Sequence, residues 1–177
     1  EIIFYLGQSY FLIHKNTDES FLFNGNHISK KNDFENYLKR LGYNFKNESK
    51  EAGGYIFLKN KKFALAMDLG STPDKKFSDN YQSGALSFEI ISNNKKLICN
   101  SGYFQNYKHQ LNNISKTTAC HSTLIVDNNS SAQFAKDAEG ISKINSKLEI
   151  FDKKVICEKN HWSLGASHDG YNKRYGI

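Results

Sequence analysis

Two places along the chain bring chemically capable side chains close together. His121 follows the threonine-rich run 116–120 and opens an alternating segment in which Leu124 and Val126 face one way while His121, Thr123 and Ile125 face the other. A histidine at a strand start, beside small polar groups, can serve as a ligand, a proton carrier or a hydrogen-bonded structural residue. The second place is His168-Asp169-Gly170-Tyr171, just after an apparent strand, where Asp169 and Gly170 also suit a stabilised turn. His14, His27, His109 and His161 are solitary. Metal binding calls for at least three converging His, Cys or carboxylate groups, and that spacing is missing, so neither metal nor cofactor is expected. P-loops, dinucleotide fingerprints and nucleophile elbows are missing too.

Composition narrows the partners. The formal charge of +6 comes from 24 Lys and Arg against 18 Asp and Glu, with the lysines scattered instead of clustered. That pattern describes a solvated basic surface that favours acidic ligands, and not a nucleic-acid groove. The three cysteines lack a CxxC spacing and sit inside apparent strands, as small buried hydrophobes do. No apolar run reaches the length of a membrane span, and Glu1 has no charged and apolar leader behind it. The opening EIIFYL and closing KRYGI both read as strand interiors, so a segment of a longer protein is expected.

The elements that must position these residues are mostly strands. Residues 10–14 and 21–23 read as a hairpin through KNTDES, and 55–58 with 63–68 as another through KNKK. Alternation in ALSFEI sends Leu86, Phe88 and Ile90 toward a core and Ser87 and Glu89 away from it. Asn93 and Asn94 make a two-residue turn that sets Ile90 opposite Leu97, Phe88 opposite Cys99 and Ser87 opposite Asn100. Strands are expected at 122–127 and 162–167, with 147–151 and 154–159 paired through Asp152 and Lys153. One helix stands out near residues 33–41, with Asn32 and Glu35 as a capping box, an apolar stripe of Phe34, Tyr37, Leu38 and Leu41, and Gly42 as its stop. The fold expected is all-β, an antiparallel β-sandwich with one short covering helix, as a single domain over residues 1–177. Sequons such as Asn47-Glu48-Ser49 and Asn113-Ile114-Ser115 carry no weight in so asparagine-rich a chain.

In order, FLFNG, MDLG, ALSFEI, LICNSG, KTTACHSTLIVD and ASHDGY resemble the C-terminal β-sandwich of the heparinase II/III-like polysaccharide lyases. The resemblance spans most of the chain and implies a bacterial, periplasmic or secreted protein whose helical toroid lies upstream. It further implies cleavage of a uronate-containing acidic polysaccharide by β-elimination in the cleft between the two domains. The toroid would supply the tyrosine acid/base, so this segment alone should be inactive. The family's H-x-H-x-D run falls on Asn80, Gln82 and Gly84, and a common aspartate falls on Asn100. His121 matches the histidine of R-S-T-A-A-H-N-T, with Lys116 in the arginine's place. A structural zinc found in some relatives would keep a single ligand. The resemblance thus implies His121 as the catalytic candidate, with Asn80, Gln82, Asn100, Lys116, His168 and Tyr171 as a wall that binds acidic sugar. The alternative is a non-catalytic carbohydrate-binding or structural module descended from a lyase.

Overall fold

The computed structural model describes residues 2–14, 19–25, 32–43, 45, 50–159 and 161–176. His27, most of the KNTDES turn and the 47–49 sequon lie outside the described residues, as do the side chains of Asn32 and Glu35. Antiparallel sheets dominate, as the sequence led us to expect. A five-stranded sheet runs in sequential order through β1 (Glu51–Ala52), β2 (Tyr55–Lys59), β3 (Phe63–Asp68), β4 (Phe88–Ser92) and β5 (Lys95–Ile98). Two hairpins, β6 (Phe134–Lys136) with β7 (Ser142–Ile144) and β8 (Ile150–Cys157) with β9 (Trp162–His168), complete the strands.

Both faces of the central sheet are covered. Cross-strand register puts Phe57, Ala66 and Glu89 in one row and Ala64 with Ile91 in the next. Over this face lie Leu12 of helix α1 (Ile2–His14), Phe21 and Phe23. The alanines leave the room these large side chains fill. On the opposite face Ile56, Leu58 and Met67 pack against Trp162, Leu164 and Ala166 of β9, forming the sheet-on-sheet core.

Several local expectations are corrected. Residues 10–14 belong to α1, not to a strand, and residues 21–23 cross the sheet without joining it. The inward face of ALSFEI is inverted: Ser87 and Glu89 are fully buried, while Leu86, Phe88 and Ile90 are half-buried. Asn93 and Asn94 do form the tight turn, with φ of 48° and 59°. A bulge between Ile90 and Ile91 then pairs Ile90 with Ile98 instead of Leu97. At 122–127 there is only a bridge between Val126 and Asn129. Asp152, at φ 52°, bulges a continuous β8 where a hairpin turn was expected. Helix α2 (Asn32–Arg40) is present and stops at Gly42, whose φ of 75° lets the chain reverse. Leu38 is its buried contact, and Phe34 meets Tyr10 of α1 edge-on at 4.9 Å.

Candidate functional site

The segment 80–87 folds across the loops at 100–102 and 115–122, so most of the sequence-predicted residues do gather. Most of them face inward. Gln82 is 1 % exposed and its amide nitrogen donates to the carbonyls of Gly102 at 3.1 Å and Ser115 at 2.6 Å. Its Oε1 accepts from Gly25 N at 3.3 Å. Asn100 accepts from both the amide and the hydroxyl of Ser122, at 3.0 and 3.1 Å. Lys116, 1 % exposed, donates from Nζ to the carbonyls of Asp79 and Ser142 and lies over the Phe134 ring at 5.5 Å. Burial pulls its pKa down to about 8. These three side chains satisfy backbone carbonyls and amides, most of them in loops and one at the start of β7, which leaves them committed to the fold.

His121 is also turned inward. Its Nδ1 lies 2.8 Å from the Thr117 carbonyl, so Nδ1 carries the proton and Nε2 presents a lone pair. That Nε2 is buried without a hydrogen-bond partner among the described residues, as is the hydroxyl of Ser87. Between them lies Gly84, where a Cβ would stand 2.9 Å from His121 Cδ2 and 3.0 Å from Ser87 Oγ. Burial lowers the imidazole pKa, against the opposing pull of the Thr117 carbonyl, and favours the neutral ring. A zinc does not fit here. Gly84 supplies no donor, the amides of Gln82 and Asn100 are committed, and among the described residues no three His, Cys, Asp or Glu groups converge.

The ASHDGY run forms the turn its aspartate and glycine suit. Asp169 Oδ1 accepts from Glu149 N at 2.8 Å and His168 Nδ1 from Gly170 N at 3.0 Å. Tyr171, 4 % exposed, donates to the carbonyls of Leu124 and Asn129 at 3.2 and 3.1 Å. The turn ties β9 to the His121 loop's continuation, with His168 half-buried beside Tyr171.

Asn80 behaves differently. It is exposed and lines an open pocket of about 210 Å³ with Asn24, Tyr55, Asp68, Phe77 and Tyr81. At the floor, Asp68 closes β3 with 4 % exposure. Its Oδ1 accepts from Gly70 N at 2.9 Å, and among the described residues Oδ2 has a long 3.5 Å bond from Asn24 Nδ2, which also donates to the Tyr55 hydroxyl. Burial pushes the Asp68 pKa up to about 7 against the lowering pull of those donors and of Lys153, and pushes the Tyr55 and Tyr81 hydroxyls up as well. Asn24 is held from behind: Glu89 Oε1 accepts from Leu22 N at 3.1 Å and Asn100 N at 2.9 Å, and Gln82 N donates to Asn24 Oδ1 at 2.8 Å. Of the residues lining this pocket, Asn80 is singled out by the sequence; Asn24 and Asp68, in FLFNG and MDLG, are not, because the walls come from distant segments.

The sequence profile of the heparinase II/III-like C-terminal family matches residues 46–177. The chain belongs to the heparinase II/III-like family. Its fold is similar to the crystal structure of a mutant heparan sulfate lyase HepC from Pedobacter heparinus, with a TM-score of 0.64 and 15% identity over 90% of this chain. The chain spans 27% of that protein. No curated protein matches the sequence. Family membership relates the chain to polysaccharide lyases, and among the described residues no helix is long and apolar enough to cross a membrane.

Proposed function

We propose that this domain forms one wall of the cleft of a polysaccharide lyase that acts on a uronate-containing acidic polysaccharide. The observation that carries this reading is the open pocket beneath Asn80, at the position where the family's H-x-H-x-D run begins, in a chain whose family is that of the heparinases. β-Elimination needs a base to take the C5 proton, a group to steady the carboxylate as charge spreads onto it, and an acid to protonate the departing O4. The C5–H and C4–O bonds break, a C4–C5 double bond forms, and no water or oxidant is consumed. A helical domain upstream supplies the acid/base in this reading, in a periplasmic or secreted protein. Asn80 reaches the sugar from this side, and His121 acts as a positioning residue that fixes the segment 80–87 from behind.

The test is a panel of acidic glycans incubated with the full-length protein, followed by the ultraviolet absorbance of the new unsaturated uronate. A rise with at least one glycan is expected. His121→Gln should lower the melting temperature and leave turnover within about a hundredfold, the scale of a displaced positioning contact. A loss of a thousandfold or so at unchanged stability would put His121 on the reacting atoms instead.

A second reading, a non-catalytic carbohydrate-binding module descended from a lyase, is favoured by one observation: the amides at Gln82 and Asn100 are built into the fold instead of facing a ligand. Glycan binding with a flat absorbance trace would decide for it.

A further inference from the structure

A second cavity, of about 370 Å³, opens beside the ASHDGY turn and shares no wall residue with the pocket under Asn80. Its shape follows from Gly170. A Cβ there would stand 2.6 Å from the Ser131 carbonyl oxygen and 2.6 Å from Leu148 Cδ1, so only a glycine lets the turn close this tightly. Asp169 Oδ1 fixes the same turn by accepting from Glu149 N, and on the facing wall Asn145 N donates to the Gln133 carbonyl at 2.8 Å. The short helix Asn172–Tyr175 is thereby set against residues 130–133 and 145–147.

The walls carry an excess of positive charge. Lys147, Lys173 and Arg174 line the cavity against one carboxylate, that of Asp169. None of the three cations has an ion-pair partner among the described residues, where the recorded pairs are those of Lys143 with Asp79 and Asp137. Arg174 is the second, independent observation. Its guanidinium donates to Asn129 Oδ1, and Asn129 Nδ2 in turn donates to the Asp127 carbonyl and the Tyr175 hydroxyl, both at 2.8 Å. A side chain tethered in this way loses less freedom on binding, and its remaining N–H groups form a fork that suits phosphate oxygens. Ser130, whose Oγ accepts from Thr118 N at 3.1 Å, keeps its hydroxyl proton to donate.

Three cations against one carboxylate leave two charges to balance, which matches a phosphate group and exceeds the single charge of a carboxylate ligand. We propose that this cavity binds a phosphate group, free or as a small monoester, with Lys147, Lys173 and Arg174 on its oxygens and Ser130 as a further donor. The lysines neutralise charge as points, and the arginine fork sets the orientation. At about 370 Å³ the cavity falls in the range of small-molecule sites, which leaves room beside the phosphate for the rest of an ester. The inference does not rest on the polysaccharide reading above.

Binding tests it without depending on turnover. Inorganic phosphate, glycerol 3-phosphate and acetate are titrated calorimetrically into the full-length protein at physiological chloride. Both phosphates should saturate one site, acetate should bind about tenfold or more weakly, and the tighter of the two phosphates names the source. Lys147→Gln and Lys173→Gln, at exposed positions, should keep the melting temperature and each weaken phosphate about tenfold, the value of one charge-assisted hydrogen bond. Arg174→Gln should do the same. Lys95→Gln removes an equal charge from an exposed position on β5, outside the cavity, and should leave the affinity within about twofold. Acetate binding as tight as phosphate, no saturation by either phosphate, or a Lys95→Gln effect as large as that of Lys147→Gln would each overturn the site. A flat ultraviolet trace with intact phosphate binding would sink the lyase reading alone.

Discussion

Around His121 and under Asn80 the chain places two polar clusters of similar residue types, yet one is sealed and the other open. In the first, the side chains of Gln82, Asn100 and Lys116 bond to backbone groups of Asp79, Gly102, Ser115, Ser122 and Ser142. In the second, Asp68, Tyr55 and Asn80 line empty space. The difference lies in what surrounds each group. Loops without a ladder carry orphan carbonyls and amides, and an amide or ammonium placed among them is drawn into the structure. The end of β3, by contrast, has its backbone served by Ser87 O and Leu86 N, which frees the Asp68 side chain for the cavity.

The largest test of this contrast is the effect of pH on Asp68. Its folded pKa of about 7 stands above the ordinary carboxyl value of 3.8, so between those two values the folded protein binds more protons than the unfolded chain. Stability therefore falls as pH rises through that window, by something on the order of 4 kcal/mol from this group, and levels off above it. Asp68→Asn keeps the acceptor for Gly70 N and removes the titration. The wild-type minus variant stability from urea melts should slope downward across the window; a flat difference would mean that Asp68 is as well solvated as an ordinary surface carboxylate. Tyr55, Tyr81 and Lys153 face the same group, and Tyr55 and Tyr81 keep their protons throughout the window, so the slope belongs to the carboxyl.

Lys116→Met comes next. It keeps the apolar stem and leaves the carbonyls of Asp79 and Ser142 without their donor. The expected cost is about 3 kcal/mol, read as a lower urea midpoint at unchanged slope. A stable variant that had lost affinity for acidic glycan would show instead that Lys116 faces the ligand.

Parts of this arrangement were legible in the sequence and parts were not. The Asn93-Asn94 turn declares itself because two left-handed residues in a row suit few other structures. The β2–β3 pair, β9 and α2 follow from local pattern in the same way. Helix α1 does not, since its aromatic and β-branched residues favour a strand locally and only the space over Ala64 and Ala66 receives Leu12. The inverted face of β4 has a related cause: with both faces of the sheet covered, alternation loses its polar side. Glu89 is tolerated inside because its donors come from Leu22 and Asn100, 67 and 11 positions away. The order of motifs marked His121 and Asn80 together, but not that one would be sealed and the other open.

Gly84→Ala probes the sealed side more finely. The added methyl meets His121 Cδ2 at 2.9 Å and Ser87 Oγ at 3.0 Å, so the imidazole has to shift. Overpacking of this kind costs about 2 kcal/mol, and it should be visible as a lower melting temperature with a displaced His121 ring resonance. An unaffected ring would mean that Gly84 and His121 are not in contact.

Asn80→Ala should be the mildest for stability and the most selective for binding. The substitution keeps the Cβ that packs against Gly25, a residue held at φ 86° in space where a side chain of its own would come within 2.7 Å of that same Cβ. The lip of the pocket therefore survives and only the exposed amide is removed. Stability should stay within about 0.5 kcal/mol, as for other exposed positions. Affinity for the acidic glycan should drop by a few-fold, the value of one hydrogen bond to a sugar hydroxyl. If stability falls as far as in Lys116→Met, then Asn80 belongs with the sealed cluster, and the contrast between the two regions reduces to a difference in depth.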